Sequence, residues 1–562
     1  MPSMTSRRET ELRKAQMITE RSSWMHHWRE ISEYQQPRVG RFLVSDVNRG
    51  DKRHNSIIDR TPIGASRTLA AGMQAGVTSP ARPWFRVTLS DKDLVEFGPV
   101  KTWLHRTGLL MREVFAKSNT YNTLHTGYLE LGLFGTWATA VMDDFDNVIH
   151  HYAMTVGEYA LSTDEKGRVC SMVRELKMTV YQVVNMFGIE KVSDSTRTAY
   201  QNNQMQSWVD VTHMVEPNPE RDPSKADSKN MKWRSVYWET KSNQEQGFLR
   251  EAGFTRMRVL APRWDVTSND VYGHSPGMEA LGDVKQLQQE QLRKGQGIDY
   301  KTNPPLQVPT QLRNSPRSRL PGGVYFYDQM NPAGGVRSAF EVNLDLSHLL
   351  EDIRDVRERI NAAYYADLFL MIANDTRPQR ATATEIAERH EEKMLMLGPV
   401  LERLHNELLS PLIDITFDAC ANAGILPPIP KELEDMELQI EFISVLAQAQ
   451  RMVSAAGTDR LLGTIGTIAP LRPEVLDKVD FDQVVDDYAD MFGVNPEIIV
   501  PDDVVAQRRA QREQQMAAQQ AAAAAPVMAD AAKKASEVDP TNLRDVMGMV
   551  SGYNSPTSTE VA

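Results

Sequence analysis

The twelve residues Gly273-His274-Ser275-Pro276-Gly277-Met278-Glu279-Ala280-Leu281-Gly282-Asp283-Val284 admit two readings, each with a different fold behind it. Gly273 to Gly277 fits the GxSxG pattern that carries a nucleophilic serine on a strand-to-helix turn. That chemistry takes an oxyanion donor from the amide N–H after the serine, and Pro276 has none. The other reading is a helix start. Ser275 is a good N-cap, Pro276 suits the first helical position, and Leu281, Val284, Leu287 and Leu292 follow at helical spacing. A helix is expected from here, fading near Gly295.

Downstream, Asn303 to Asn343 is rich in turn formers (Pro304, Pro305, Pro309, Pro316, Pro321, Gly322, Gly323) around a short strand-like Val324 to Tyr327. Asp345 to Leu370 predicts an amphipathic helix, with Leu346, Leu349, Leu350, Ile353, Val356, Ile360 and Tyr364 opposite a charged face. Asn374 to Ala381 breaks it. From Thr382 to about Ala423 the pattern predicts a very long helix, roughly 60 Å at 1.5 Å per residue. Leu397, Leu401, Leu404 and Leu408 form its seam, and Pro399 and Pro411 bend it. Helices are expected near Leu438 to Ala456, Thr458 to Thr467 and Pro473 to Met491. An Ala/Gln/Arg-rich helix follows over Asp502 to Ala525, then Pro526 and a polar tail.

Upstream, helical spacing covers Glu9 to Tyr34, Thr61 to Val77, Val100 to Ala116 and Ser118 to Phe134, with an extended piece at Trp84 to Leu89. The small residues Ala70, Ala71 and Gly72 suit close approach of another backbone and predict packing by a second chain. Between Thr136 and Phe254 the period becomes two, in Trp137 to Met142, Val148 to Ala153, Tyr159 to Ser162, Val169 to Leu176, Trp208 to Val215 and Trp233 to Thr240. Pro217 to Lys229 reads as an exposed loop. The fold class is therefore mainly α with an α+β body.

Composition narrows the function. The 562 residues are 41% hydrophobic and 25% charged, with 32 glycines and 30 prolines, so most of the chain should fold, in two to four domains. A net charge of −12 excludes binding nucleic acid by bulk positive charge. Cys170 and Cys420 form neither a zinc motif nor a disulfide framework, which points to reducing cytosol. The uncharged runs Leu131 to Met142 and Leu461 to Leu471 are too short to span a bilayer, and Met1 to Gln16 has no apolar export segment.

The remaining motifs resolve to ordinary roles. His26-His27 and His150-His151 are adjacent, so neither pair shares a helix or strand face to chelate a metal. Asp143, Asp144 and Asp146 lack the glycine and distal glutamate of a calcium loop and read as a turn. Arg49-Gly50-Asp51 is a chance match, and no GxxxxGK[ST] phosphate loop occurs. The carboxylates at Glu351 to Glu358 and Glu385 to Glu392 alternate with Arg and Lys as solvated helix faces do. No cofactor, metal or catalytic set emerges. Arg377 and Arg380, in the break between two long helices, stand apart.

The order of elements resembles the tailed-phage portal proteins, in particular the head-to-tail connecting proteins of short-tailed phages. The likeness rests on Tyr272 to Gly277 with Leu281-Gly282-Asp283-Val284, on Asn303-Pro304-Pro305, and on Arg380-Ala381-Thr382-Ala383-Thr384-Glu385-Ile386 opening the long helix. Trp24 to Tyr34 and Asp59 to Gly76 add to it, so it covers Glu9 to Pro501. It implies a portal fold of wing, stem, clip and crown. Residues 1–135 would be the N-terminal helical part of the wing, 136–262 the α+β wing, 263–302 the first stem helix, 303–343 the clip and 344–370 the second stem helix. Then would come a tunnel loop at 371–381, a long kinked backbone helix at 382–425, the crown at 426–500, an Ala/Gln-rich barrel-like helix at 501–537 and a disordered tail at 538–562.

The resemblance further implies no enzymatic activity. It implies a homo-oligomeric ring, a dodecamer, at one capsid vertex of the virion, assembled in the host cytoplasm. Double-stranded DNA would pass through without sequence readout, in genome packaging, retention and ejection. The partners implied are the terminase large subunit, tail adaptor and nozzle proteins, and the major capsid and scaffolding proteins. Asp375, Thr376, Arg377, Gln379 and Arg380 of the tunnel loop and Lys285, Arg293, Lys294 and Lys301 of the first stem helix would meet DNA at its backbone. Arg313, Arg317, Arg319, Tyr325, Phe326 and Tyr327 of the clip would dock partners. The alternatives are another helical virion or scaffold protein and, behind it, a hydrolase using Ser275.

Overall fold

The computed structural model describes residues 7–42, 57–91, 94–95, 97–225, 227–242, 247–302, 306–307, 337–338, 347–373, 397–433, 438–442, 458, 460–470, 472–492, 498, 500 and 504–519. In chain order the N-terminal elements are α1 (Arg7–Tyr34), α2 (Thr61–Val77), β1 (Phe85–Leu89), α3 (Gly98–Lys117) and α4 (Thr120–Phe134). The strand-rich body holds β2 (Ala138–Asp144), β3 (Val148–Met154), β4 (Tyr159–Thr163), β5 (Val169–Thr179), α5 (Val180–Phe187), α6 (Asp194–Gln201), β6 (Trp208–Pro217), β7 (Trp233–Glu239), β8 (Arg250–Phe254) and β9 (Val259–Leu260). Then follow α7 (Pro276–Glu279), α8 (Leu281–Thr302), β10 (Leu306–Gln307), β11 (Arg337–Ser338), α9 (Ser347–Ala363) and α10 (Ala366–Ala373). A helix over 397–422, here α11, contains a π turn at His405–Leu409, and β12 is Leu438–Phe442. The described chain is thus helix-rich with antiparallel sheets, an α+β architecture.

The chain divides into two compact units. The larger holds Met1–Thr88, Leu104–Ile429 and Glu437–Val479. In the smaller, which includes Asp480–Ala562, the helix Phe481–Phe492 and a helix over 504–519 are tied by Arg509 to Asp482 at 2.6 and 2.8 Å.

The five-stranded sheet of the larger unit is an antiparallel meander, β4-β5-β6-β7-β8, and a three-stranded sheet runs β3-β2-β9. The period-two pattern sets the meander's two faces. Val173, Met214, Val236 and Trp238 on one side pack with Met17 of α1, whereas Val211, Tyr237 and Leu249 on the other pack with Val180, Val183 and Phe187 of α5. The stripe α1 buries is largely cationic and polar, comprising Arg7, Thr10, Lys14, Met17 and Arg21 before Trp28 and Ile31. Leu12, by contrast, is 58% exposed. Lys14 and the neighbouring half-buried Arg13 find acceptors on the sheet: Arg13 grips Glu216 through two 2.8 Å bonds, and Lys14 meets Glu175 at 2.7 Å and the Thr212 hydroxyl at 2.8 Å. Burial of charge is tolerated at Lys14 because it is both paired and hydrogen-bonded, whereas Arg21, with no ion pair among the described residues, donates to the Gly157 and Tyr159 carbonyls.

Several expectations need correction. Leu438 to Phe442 is a strand paired with β1 rather than the start of a helix to Ala456. Its alternation, Leu438-Gln439-Ile440-Glu441-Phe442, is strand spacing, and Glu441 reaches Arg86 at 2.9 Å. The single helix expected over Asp345 to Leu370 is two, because Tyr365 adopts φ 52° between α9 and α10. Ser275 caps the short α7, and the helix expected to fade near Gly295 is α8, which continues to Thr302. Pro473–Lys478 is a 3-10 turn preceding Phe481–Phe492, not part of one helix. Helices α5 and α6 and strands β8 and β9 interrupt what reads as strand and loop.

Ala70 and Gly72 need no second chain to account for them. Ala70 is fully buried, and a Cβ on Gly72 would lie 2.1 Å from the Phe369 ring of α10 in the same chain. Gly72→Ala is expected to destabilise the fold by about 1–3 kcal/mol through this overlap. A thermal melt checks it, and an unchanged midpoint would refute the close approach.

Candidate functional site

Ser275 is a helix cap. Its hydroxyl accepts from the Met278 N–H at 3.1 Å and donates to the Leu133 carbonyl at 2.8 Å, and the side chain is buried. Gly277 packs its backbone on Leu133, and Gly273 on Gly135, so both glycines serve close backbone approach rather than an exposed nucleophile. With its hydroxyl committed on both sides, Ser275 has no role in acyl transfer here.

Beyond α7, α8 runs antiparallel to α9, burying Leu281, Val284 and Leu287 in the same half as Ile353, Val356 and Ile360. A polar node locks the pair to the start of α2. Gln288 accepts from the N–H groups of Ile58 and Asp59 at 2.7 and 2.8 Å and donates to the Asp59 carbonyl at 2.9 Å. The Asp59 carboxylate takes the Thr61 N–H and hydroxyl on one oxygen, and Gln291 and Arg357 (2.7 Å) on the other. Burial alone would raise the Asp59 carboxyl; the Thr61 and Arg357 hydrogen bonds outweigh it and hold it below its ordinary value. Farther along, Glu290 is buried between the helices, and burial together with the nearby Asp352 carboxyl pushes its carboxyl up.

The predicted stem cations are not equivalent. Lys285 forms an ion pair with Glu30 at 3.1 Å and stands over the Tyr34 ring at 5.5 Å, so its charge is already used within the chain. Arg293 and Lys301 are exposed and Lys294 is half-buried; among the described residues none of the three makes an ion pair. Asp375, Thr376, Arg377, Gln379 and Arg380, and likewise Arg313, Arg317, Arg319, Tyr325, Phe326 and Tyr327, lie outside the described residues. So do Arg49 to Asp51. At the foot of the 303–343 insertion, β10 and β11 pair antiparallel, Leu306 with Ser338 and Gln307 with Arg337.

Sequence reasoning missed the anchor of the long helix. Pro411 has no N–H, and in a regular α-helix its ring would strike the Glu407 carbonyl. The chain widens instead into the π turn, where the Ser410 N–H bonds to the His405 carbonyl. Glu407 in that turn accepts from Arg263 at 2.9 Å (backbone), 3.2 Å and 2.6 Å, while Arg263 also donates to the Gly167 and Asp270 carbonyls. Below it, Arg256 pairs with Asp414 and Asp418 at 3.0 and 2.8 Å. Pro411 is the only local signal that pointed here.

The other candidate clusters stay structural. Asp143 pairs with Arg258 at 2.8 Å, and Asp144 accepts from Asn147 in the β2–β3 turn. Burial, aided by neighbouring His150, lowers His151 to about 4, and its Nε2 lies 3.0 Å from the Thr120 hydroxyl. His213 is fully buried with its pKa pushed far down, first by burial and then by Arg174, which donates to its Nδ1 at 3.0 Å. Among the described residues no group of three or more His, Cys, Asp or Glu side chains is placed to hold a metal ion, and no helix is long and apolar enough to cross a membrane.

A capped helix, an antiparallel return helix and a long helix interrupted by a π turn follow one another in the order expected of a connector-type structural protein. Residues 7–500 match the family described as bacteriophage head to tail connecting protein, and the chain belongs to that family, a structural component rather than an enzyme. It is 53% identical over 556 residues to the "Probable portal protein" of Bordetella phage BPP-1, covering 98% of this chain and 100% of that one. It is also 46% identical over 493 residues to the "Portal protein" of Salmonella phage epsilon15, covering 87% and 88%. A solved chain from the virion of a native gene transfer agent particle is similar over 71% of this chain and 94% of its own, at 10% identity and a TM-score of 0.30, a likeness on which no argument rests.

Proposed function

We propose that this chain is the portal protein of its phage, a ring-shaped DNA conduit at one capsid vertex for genome packaging, retention, tail attachment and ejection. The observation that carries this is the match to named portal proteins along almost the entire chain, with identity far above chance. The reading takes the ring to be a dodecamer, assembled in the host cytoplasm and retained in the virion. Its partners are the terminase large subunit, the tail adaptor and nozzle proteins, and the capsid and scaffolding proteins. Residues 1–262 serve as wing, α8 and α9 as stem, 303–343 as clip, 371–381 as tunnel loop, 382–425 as backbone helix, 426–500 as crown and 501–537 as barrel-like helix.

Electrostatics support a conduit. Each copy carries a net charge of −12, so duplex DNA meets repulsion except at local cations and slides rather than sticks. Arg377 and Arg380, flanked by Asp375, Thr376 and Gln379, are the proposed backbone contacts. Lys285 is already paired with Glu30, whereas Arg293, Lys294 and Lys301, which make no ion pair among the described residues, are further proposed backbone contacts. Arg313, Arg317, Arg319, Tyr325, Phe326 and Tyr327 are the proposed docking residues.

Native mass spectrometry and negative-stain imaging of the purified chain test the ring, which a monomer under every condition would exclude. Arg377→Ala with Arg380→Ala is expected to leave rings intact while lowering the DNA packaged per particle. Loss of folding in that variant would assign the two arginines a structural role instead.

A further inference from the structure

The five-stranded meander buries one cation that no acid answers. Arg174 of β5, His213 of β6, Tyr237 of β7 and Arg250 of β8 stand opposite one another in a single cross-strand row, so their side chains share one face of the sheet. Arg174 is 5% exposed, yet it makes no ion pair among the described residues. Its Nε donates to His213 Nδ1 at 3.0 Å, and its guanidinium carbon stands 5.5 Å from the centre of the Tyr152 ring on β3. The two terminal nitrogens make no hydrogen bond among the described residues and are not sealed from water. Arginine is rarely buried this far without a counter-charge, because the desolvated cation is left uncompensated.

The rest of the row adds positive charge rather than cancelling it. A His213 Nδ1 that accepts from Arg174 carries no proton, so Nε2 holds it and donates to the Ser235 hydroxyl at 3.0 Å. The ring is therefore neutral, and it stacks on Tyr237 at 3.9 Å with an interplanar angle of 4°. Burial first, then Arg174 and Arg250, keep it neutral by lowering its pKa, so both guanidinium charges are felt at this one position. Arg250 is exposed and likewise has no ion pair among the described residues. Tyr152 is 48% exposed, which leaves the β3 side of Arg174 open to solvent.

We propose that Arg174 and Arg250 bind a phosphate dianion, free or as a monoester, on the face of the meander beside β3, with Tyr152 flanking it. The terminal nitrogens of Arg174 form a pair of donors suited to two oxygens of one phosphate, and Arg250 reaches in from the far end of the row. His213 does not touch the ligand; it is a positioning residue that fixes the Arg174 fork through Nε. A single carboxylate would leave one of the two cations unmatched, whereas a phosphate monoester carries close to two negative charges at neutral pH. Bound there, the anion ties β5 to β8 and stabilises the folded chain by mass action.

The test titrates the full chain with inorganic phosphate at constant ionic strength, followed by calorimetry and by the thermal midpoint. Saturable binding with a rising midpoint is expected, with sulfate competing and acetate at least about tenfold weaker. Arg250→Ala alters an exposed side chain, so the variant should fold as the parent does and bind phosphate at least about tenfold more weakly. Arg174→Met removes a buried charge; without phosphate it should melt no lower than the parent, and the phosphate-dependent rise should vanish. If Arg174 served only to hold His213, that variant would melt lower and keep the rise. Absence of saturable binding, an equal response in parent and both variants, or acetate as tight as phosphate would overturn the proposal. Displacement of phosphate by a blunt DNA duplex without terminal phosphates would also overturn it, assigning both arginines to the nucleic-acid backbone. Phenyl phosphate binding more tightly than inorganic phosphate would identify the ligand as a monoester, and weaker binding would identify the free ion. None of these outcomes depends on whether the chain forms a ring.

Discussion

Glu407→Ala is expected to destabilise the folded chain by about 3 kcal/mol, because it strands the Arg263 guanidinium in the interior without its counter-charge. The Arg263 side chain is 3% exposed, and its remaining acceptors, the Gly167 and Asp270 carbonyls, are neutral. Glu407→Gln keeps the shape and part of the hydrogen bonding and should cost less. Arg263→Met combined with Glu407→Leu should cost less again, since no charge is then left buried. Urea denaturation at fixed protein concentration measures all three. If Glu407→Ala and the double variant were equally stable, the pair would not anchor the long helix. Loss of this anchor should also free residues 397–404 from the π turn, seen as faster amide exchange there than in Ser410–Asn422.

Glu130→Gln should stabilise the protein, and only at higher pH. Burial raises the Glu130 carboxyl to about 8, with Glu158 adding repulsion and the Thr155 hydroxyl and Val156 N–H offsetting part of the rise. The folded state thus keeps a proton that the unfolded chain releases near its ordinary value of 4.5. Stability contributed at this position is complete below pH 4.5, falls as pH rises, and levels off above about 8. The substitution removes that loss, a gain of about 3–5 kcal/mol at pH 9 and almost none at pH 4. Parallel stability profiles of parent and variant between pH 4 and 9 would show that Glu130 ionises normally. The site has a local consequence. The loop Glu130 supports holds the N-terminal segment, through Arg41 N–H to the Val156 carbonyl at 2.8 Å and Arg41 to Glu158 at 2.6 Å. Ionisation should therefore loosen residues 40–42 first.

Both sites show what sequence patterns miss. Glu407 reads as one more polar residue between Leu404 and Leu408, and Glu130 as a polar interruption in Leu124 to Phe134. Nothing within a helical turn of either reveals a partner 144 residues away or complete burial. The cationic stripe of α1 is the same case: a search for apolar periodicity ranks Leu12, which is exposed, over Lys14, which is buried only because Glu175 and Thr212 meet it.

What the sequence alone determined is local and serial. Ser275 and Pro276 start a helix because capping acts within three residues; Asp143 to Asn147 turns because an Asx side chain bonds its own loop; the meander strands alternate because neighbouring side chains point to opposite faces. The order of these elements was enough to indicate the family. The tertiary structure decided the rest: that Leu438–Phe442 joins Phe85–Leu89 as a strand, that Gly72 admits Phe369, that Tyr365 breaks a continuous apolar stripe, and that the far halves of α8 and α9 lie bare. Each depends on which distant surfaces exclude water from one another, and burial of that kind is a property of the assembled chain, not of any window along it.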